Sequence, residues 1–282
     1  MKKILITGAN SYIGTSFEKW LAKEPEKYAV DTVDMIGDSW KQKDFSGYDV
    51  VFHVAGIAHV KETKKNKELY YKVNRDLSYE TARKAKKEGV KQFIFLSSMS
   101  VYGVEKGIIN ENTLLKPKTN YGKSKLEAEK LIIPLNDDEF KVVILRPPMI
   151  YGKGCKGNYP RLAKLALKTP IFPNIDNKRS MLYIENLCEF VKFIIDDCSS
   201  GIFFPQNEEY VCTSKMVKLI AEAHGKKIRM TKLFNPLIRL LKIGIVNKVF
   251  GDLVYDKNLI MINKIQNLSF IKFNETIRIT EE

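Results

Sequence analysis

KILITGANSYIG, residues 3–14, sets an apolar run against a glycine turn and the turn against the start of a helix. Lys3–Thr7 predicts a short strand ending at Gly8, and Phe17, Trp20 and Leu21 recur at helical spacing within Ser16–Leu21. A glycine pair placed between a strand and a helix has a physical meaning. Gly8 permits a tight turn and Gly14 a close approach of helix to sheet, while exposed amides at the helix start receive a pyrophosphate. Asn10, Ser11, Tyr12 and Ile13 occupy that turn and are assigned to the same nucleotide site.

Outward from the turn, strand and helix signals alternate as far as Leu145. Ala29–Asp34 (AVDTVD), Asp49–Ala55 (DVVFHVA), Gln92–Ser97 (QFIFLS) and Val142–Leu145 (VVIL) predict further strands. Asp49–Ala55 is nearly continuous in apolar and aromatic residues, as a central parallel strand requires. Helices are predicted over Tyr70–Gly89 and from Lys123 to Leu131. This alternation predicts an α/β fold, a Rossmann-type doubly wound parallel sheet whose crossover helices cover both faces. Past Met149 glycines and prolines cluster, and helices are predicted over Arg161–Leu167, Asn186–Ile195 and Ser214–His224. Residues 1–150 are therefore expected to form mainly the nucleotide-binding domain. Residues 151–282 should form mainly a small, intertwined substrate-binding region, with some segments returning to the large domain.

Asp34 ends the second predicted strand, where a carboxylate accepts hydrogen bonds from ribose hydroxyls and repels a 2′-phosphate. That favours NAD over NADP as the coenzyme. The competing reading makes Asp34 a simple turn cap, and nearby Asp31 leaves the register open. Asp44 is a candidate for adenine contact or an ordinary surface aspartate.

YGKSK, residues 121–125, puts Tyr121 and Lys125 four apart, hence on one helical face. An ammonium beside a phenol favours the phenolate and makes tyrosine a usable acid or base near neutral pH. Ser98, after the fourth strand, is placed to hydrogen-bond the same substrate oxygen. The spacing is common by chance in a lysine-rich chain. The order of glycine turn, acidic strand end, serine and tyrosine–lysine pair is far more specific.

With TGANSYIG (7–14), FHVAGIAHV (52–60), KVN (72–74), FLSSMSVYG (95–103), YGKSK (121–125) and LRPPMIYG (145–152), the chain resembles the extended short-chain dehydrogenase/reductase family. Within it, the likeness is to NAD-dependent nucleotide-sugar epimerases and reductases of surface-polysaccharide synthesis. The resemblance covers most of the chain and is strongest up to about residue 190. It implies that Tyr121 is the catalytic acid/base, Lys125 its partner and a ribose contact, and Ser98 the residue that orients the sugar hydroxyl. It also implies that Ala55, Gly56, Asn74, Ser97 and Pro147 lie about the coenzyme, Asn74 through a helix facing the sheet. His59, Ser100, Tyr102, Asn158 and Arg179 are the implied substrate contacts, Arg179 as a fork for a diphosphate. Ser11 departs from the family's pattern by standing at its middle glycine.

The resembled chemistry is 4-epimerisation of a UDP-hexose or UDP-N-acetylhexosamine through a transient 4-keto sugar. Reduction of a nucleotide-linked 4-keto sugar uses the same residues, and a noncatalytic nucleotide-binding or regulatory protein is the reading from another class. A dehydratase fits less well, because Met99-Ser100 stands where that group carries an Asp-Glu pair.

Composition narrows the partners. Lys and Arg number 47 against 33 Asp and Glu, a net charge of +14, but the lysines are spread through nearly every segment. This reads as a solvated surface that attracts an anionic substrate, with no nucleic-acid partner expected. Four cysteines without CxxC spacing and three histidines predict no metal site; His53 is expected to be a packed or hydrogen-bonded core residue. No apolar run is long enough to span a bilayer, and the protein is expected to be cytoplasmic. Residues 235–256 mix bulky apolar side chains with Arg239, Lys242 and Lys248, a pattern that fits a pocket cover, a homodimer face or a membrane surface.

Overall fold

The computed structural model describes all residues except 59, 234, 241–243 and 262–267. The chain divides into two compact units. The first comprises Met1–Gly103, Leu114–Pro147 and Leu187–Pro205; the second comprises Val104–Thr113, Pro148–Asn186 and Gln206–Glu282. Val104–Thr113 thus leaves the first half of the chain for the second unit, and Leu187–Pro205 belongs to the first.

In the first unit β1 (Lys2–Thr7) leads through α1 (Tyr12–Leu21) to β2 (Tyr28–Val33) and then β3 (Val50–His53). Helix α2 (Lys67–Tyr71) continues through a π-helical stretch, Lys72–Leu77, into α3 (Ser78–Lys87) and β4 (Gln92–Leu96). Past β5 (Gly107–Ile109), which belongs to the second unit, come α4 (Asn120–Ile132) and β6 (Lys141–Leu145). Further on, β7 (Met149–Tyr151), α5 (Asn158–Lys168), β8 (Ile171–Pro173) and β9 (Met181–Tyr183) lie in the second unit. Helix α6 (Ile184–Asp196) then brings the chain back to β10 (Gly201–Phe203).

The sheet of the first unit has the order β10-β6-β4-β3-β1-β2, and every pairing is parallel. Its central strands are apolar because helices cover both faces: β3 and β4 are buried throughout. The core gathers Leu5, Val51, Phe93, Phe95 and Ile144 with Ala82, Ala85, Ala128 and Ile132 from the helices. Sequence alternation predicted five of these strands. The sixth, β10, is only three residues long and arrives after α6, too short and too late for a periodic signal.

From β1 the chain first steps to β2 on one side and then to β3 on the other. Open sheets place ligands at such a switch point, beyond the carboxyl ends of the strands. Gly8 follows β1 there, with φ of 97°, a backbone conformation that glycine adopts without strain. A Cβ on Gly8 would stand 3.0 Å from Ala55 N and Cα, so the turn also needs glycine for room.

Among the described residues of the second unit there are three two-stranded parallel pairs: β7 with β9, β8 with β11 (Arg229–Thr231), and β5 with β12 (Leu253–Tyr255). Helix α7 (Thr213–Ala223) packs against α5 and against a C-terminal helix, Phe273–Glu281. The latter buries Phe273, Thr276, Ile277 and Thr280, a stripe with two threonines that hydropathy alone left unread. Within 235–256 the described residues form short helices, Asn235–Leu240 and Gly244–Phe250, before β12. No described helix is long and apolar enough to cross a membrane.

Candidate active site

Tyr121 is the second residue of α4, and Lys125 follows one turn later on the same face. The helix begins there because Thr119 accepts a hydrogen bond from Gly122 N (3.1 Å) and Glu62 takes the next amides. Glu62 Oε2 accepts from Asn120 N (3.0 Å) and Nδ2 (3.1 Å), while Oε1 accepts from Tyr121 N (3.0 Å). A carboxylate at a helix start is favoured by the helix dipole as well as by these bonds. Glu62 was missed in the sequence, where it is one acid inside KETKKNKE and lies far along the chain from the amides it holds.

Ser98 starts the turn that faces α4. Its Oγ accepts from Ser100 N (3.1 Å) and donates to Ser100 Oγ (3.2 Å), and Met99 N donates to the Pro147 carbonyl (2.9 Å). Gly122 allows the helix to come this close: a Cβ there would lie 2.6 Å from Ser100 O. Ser98 lies near enough to the Tyr121 phenol to lower its pKa. The structure thus brings Ser98 close to Tyr121, with Lys125 one turn along the same helix.

The electrostatics differ from the expectation that Lys125 lowers Tyr121. Burial pushes the Tyr121 phenol above its ordinary value; Ser98 opposes this and the nearby Tyr70 adds to it. Lys125 is itself buried, 4% exposed, and donates to Leu96 O at 2.7 Å. Burial lowers its pKa to about 7, with Glu129 pulling upward. Desolvation thus dominates both groups, because each charged form loses water before it gains a partner. His53 shows the same physics. It is fully buried between Thr7 Oγ1 (2.7 Å from Nδ1) and Ser78 Oγ (2.9 Å from Nε2), and burial, aided by Lys125, lowers its pKa to about 3.

Beside this group lies a cavity of about 640 Å³ at the switch point, lined by Gly8, Ala9, Ser11, Asp34, Ala55 and Gly56 among others. Ser11 is the N-cap of α1 and accepts from Gly14 N at 3.1 Å, so the departure from glycine stabilises the helix start. Its φ of −73° needs no glycine. Asp34 combines both sequence readings: it lines the cavity and its Oδ1 accepts from Ile36 N at 3.0 Å. Asp31, by contrast, does not line the cavity, and its Oδ2 accepts from the Tyr48 hydroxyl at 2.6 Å. Met35, Trp40 and Leu69, not foreseen from sequence, add apolar wall; MIGDSW directly after Asp34 was the available signal. A Cβ on Gly56 would meet Asn74 Oδ1 at 3.0 Å and Lys125 Nζ at 3.3 Å, which joins the cavity to the chemical group. Glycine turn, helix amides, acidic strand end and apolar slot fit a dinucleotide coenzyme.

Several expected coenzyme contacts serve other purposes. Asp44 is exposed, accepts from Ser46 N at 2.8 Å and does not line the cavity: a short polar side chain bonded two residues on is a turn former. Ser97 Oγ donates to buried Glu129. Asn74, fully buried in the π-helical stretch, accepts from Ile57 N (2.8 Å) and donates to Ile57 O (3.1 Å) and Ser124 Oγ (3.2 Å). It clamps the loop after β3 to α4. Tyr70 OH adds a bond to Val60 O at 2.8 Å. Asn10, Tyr12, Ile13, Gly14 and Pro147 are also absent from the cavity lining; Asn10 is exposed with φ of 62°.

Of the expected substrate contacts, Ser100 is exposed beside Ser98, whereas Tyr102 is only 5% exposed and its hydroxyl accepts from Arg146 Nη1 at 2.9 Å. Tyr102 is therefore a buried partner of Arg146. In the second unit Asn158 begins α5 at the surface. Arg179 is half-buried and donates through Nη1 to Gly251 O at 2.9 Å; burial lowers its pKa while Asp252 raises it. His59 lies outside the described residues.

A doubly wound sheet with a switch-point cavity, and a serine close to a tyrosine whose helix carries a lysine four residues on, matches the extended short-chain dehydrogenase/reductase class. Within that class the chain belongs to the NAD dependent epimerase/dehydratase family, whose model matches residues 4–212. It is an NAD-dependent enzyme. The chain is 32% identical over 295 residues to the UDP-glucose 4-epimerase of Vibrio cholerae, covering 90% of this chain and 87% of that protein. It is 27% identical over 253 residues to the N-acetyl-alpha-D-glucosaminyl-diphospho-ditrans,octacis-undecaprenol 4-epimerase of Escherichia coli O157:H7, covering 83% and 76%. In fold it matches the crystal structure of UDP-glucuronic acid 4-epimerase from Bacillus cereus in complex with NAD, with a TM-score of 0.75 at 20% identity over 99% and 97% of the chains.

Proposed function

We propose that this enzyme interconverts a UDP-hexose or UDP-N-acetylhexosamine with its C4 epimer, in the service of surface-polysaccharide synthesis. The observation that carries the reading is the closeness of Ser98 to the Tyr121 phenol, with Lys125 one helical turn along α4 and in reach of a cavity residue, Gly56. The similarity to the Vibrio cholerae UDP-glucose 4-epimerase over nine-tenths of the chain supports the substrate class.

Tyr121 is the acid/base at the sugar 4-hydroxyl, and Ser98 orients that oxygen. NAD, when bound, would supply the acceptor and donor of hydride at C4, so the overall conversion has no net redox change. Lys125 offsets the negative charge that Tyr121 acquires: with a pKa of about 7 it gains a proton readily as the phenol loses one. Once the sugar presents its opposite face, Tyr121 gives the proton back to the C4 oxygen. Gly8, Ser11 and Asp34 hold the coenzyme, the first two at its pyrophosphate and Asp34 at its ribose. Ser100, exposed beside Ser98, faces the sugar.

The test is product analysis by NMR and mass spectrometry after incubation with UDP-glucose or UDP-GlcNAc and NAD alone. C4 epimer without accumulating NADH is the expected result. Failure with both sugars, together with NADH-dependent reduction of a nucleotide-linked 4-keto sugar, would replace the epimerase reading with a reductase.

A further inference from the structure

Behind the chemical group lies a buried polar cluster that the proton and hydride transfers do not use. Glu129 sits one turn beyond Lys125 on α4 and is 1% exposed; Arg146 follows β6 and is 5% exposed. Arg146 Nη2 lies 2.6 Å from Glu129 Oε2, and its Nε lies 3.1 and 3.2 Å from the two carboxylate oxygens. Arg146 Nη1 donates to the Tyr102 hydroxyl at 2.9 Å, and Ser97 Oγ donates to Glu129.

The cluster's attachment points are informative. Ser97 immediately precedes Ser98, and Tyr102 ends the turn that Ser98 begins. The serine is therefore tied to the same ion pair on both sides. Glu129 belongs to the helix that carries Tyr121 and Lys125, and Arg146 precedes Pro147, whose carbonyl accepts from Met99 N. Every segment that supplies a member of the chemical group ends on one guanidinium–carboxylate pair. A buried ion pair contributes little net stability compared with a packed apolar cluster, because desolvation offsets its attraction. Its fixed fork geometry does impose a distance between the parts it joins.

We infer that Glu129, Arg146 and Tyr102 act together as a positioning unit, setting the Ser98 turn against α4 and placing a fixed carboxylate one turn from Lys125. The inference rests on the proposed roles of Ser98, Tyr121 and Lys125, and it makes Tyr102 a positioning residue where sequence resemblance made it a substrate contact. Glu129 raises the pKa of Lys125 against the lowering by burial. The two arms therefore have different signatures: the Tyr102 arm governs geometry, and the Glu129 arm governs geometry and charge.

Tyr102→Phe keeps the ring and removes one hydrogen bond. In the NAD-loaded enzyme it should lower kcat on the order of tenfold, as a small misplacement of a reacting group does, with substrate KM and the pH profile nearly unchanged. Glu129→Gln should lower kcat too and shift the Lys125 titration to lower pH, read by NMR of its labelled Nζ with no substrate present. Wild-type kcat in Tyr102→Phe, or an unmoved Lys125 titration in folded Glu129→Gln, would overturn the inference. If Glu129→Gln does not fold, Tyr102→Phe and Ser97→Ala decide the matter through kcat alone. Tyr121→Phe is the separate control: its retention of turnover would sink the catalytic assignment and leave the Lys125 titration still readable.

Discussion

Around Gly8 the first unit presents backbone and open turn to a cavity, whereas around Lys125 it withdraws charged side chains from water. The nucleotide end is local: Gly8, Ser11 and Gly14 lie within one turn, and Ser11 caps the helix that follows. The chemical end is assembled from distant segments: Glu62 reaches α4 from the loop after β3, and Arg146 reaches it from the end of β6. Binding an extended anion needs exposed amides at a helix start. Moving a proton needs low dielectric and fixed partners, and those come from long-range packing.

If the division is right, substitutions at the two ends should separate binding from chemistry. Tyr121→Phe carries the largest expected effect, a loss of roughly 10²- to 10⁴-fold in turnover, typical of removing a general acid/base. Circular dichroism and NAD affinity should stay near wild type. A Tyr121→Phe enzyme that turns over normally would break the comparison at its chemical end.

Gly122→Ala probes the same end through packing. The added methyl would stand 2.6 Å from Ser100 O, and such overpacking costs about 1–3 kcal/mol. A lower Tm and a reduced kcat should appear together, since helix and serine turn must separate. An unchanged Tm would show that the two elements have slack.

At the nucleotide end, Asp34→Asn should weaken NAD binding about tenfold, the scale of one charge-assisted hydrogen bond, and narrow the preference over NADP. Its kcat at saturating NAD should hold. Isothermal titration with both coenzymes checks this, and equal NAD affinity would remove Asp34 from the ribose.

The smallest effect concerns pH and sharpens the contrast in burial. His53 has a folded pKa of about 3, below its ordinary 6.5, so the unfolded chain binds a proton before the folded one does. Its contribution is fully present above about pH 6.5 and is lost as pH falls from there towards 3. Denaturant unfolding at pH 7 and pH 5 should show His53→Asn losing less stability on acidification than wild type does.

The same division decides what could be read in advance. Strand and helix periodicity reports packing on a single element, so β1 to β4, β6, α1 and α4 were legible within a few residues. The glycine turn and YGKSK were legible because each lies within one turn of chain. Glu62 and the Arg146–Glu129 pair were not, since neither residue carries a local pattern that reveals a partner at the far end of a fold. Tyr102 and Ser97 were misassigned for a related reason: both lie within four residues of Ser98, but their hydroxyls bond to Arg146 and Glu129 from other segments. Asp44 had the right chemistry at the wrong place, because a turn had already used its carboxylate.

The π-helical stretch Lys72–Leu77 has a consequence for how the helix measures distance. In an α-helix, residues four apart drift by about 40° around the axis. A wider turn reduces that drift, and Tyr70, Asn74 and Ser78, which straddle the stretch, all reach the strand and loop of β3. The helix works as a ruler with one long division, whose three marks fall at His53, Ile57 and Val60. Deleting a single residue within the stretch would close the wide turn into ordinary α-helical winding. Ser78 would stay turned towards β3, but the interval that lets Tyr70, Asn74 and Ser78 reach Val60, Ile57 and His53 together would shorten.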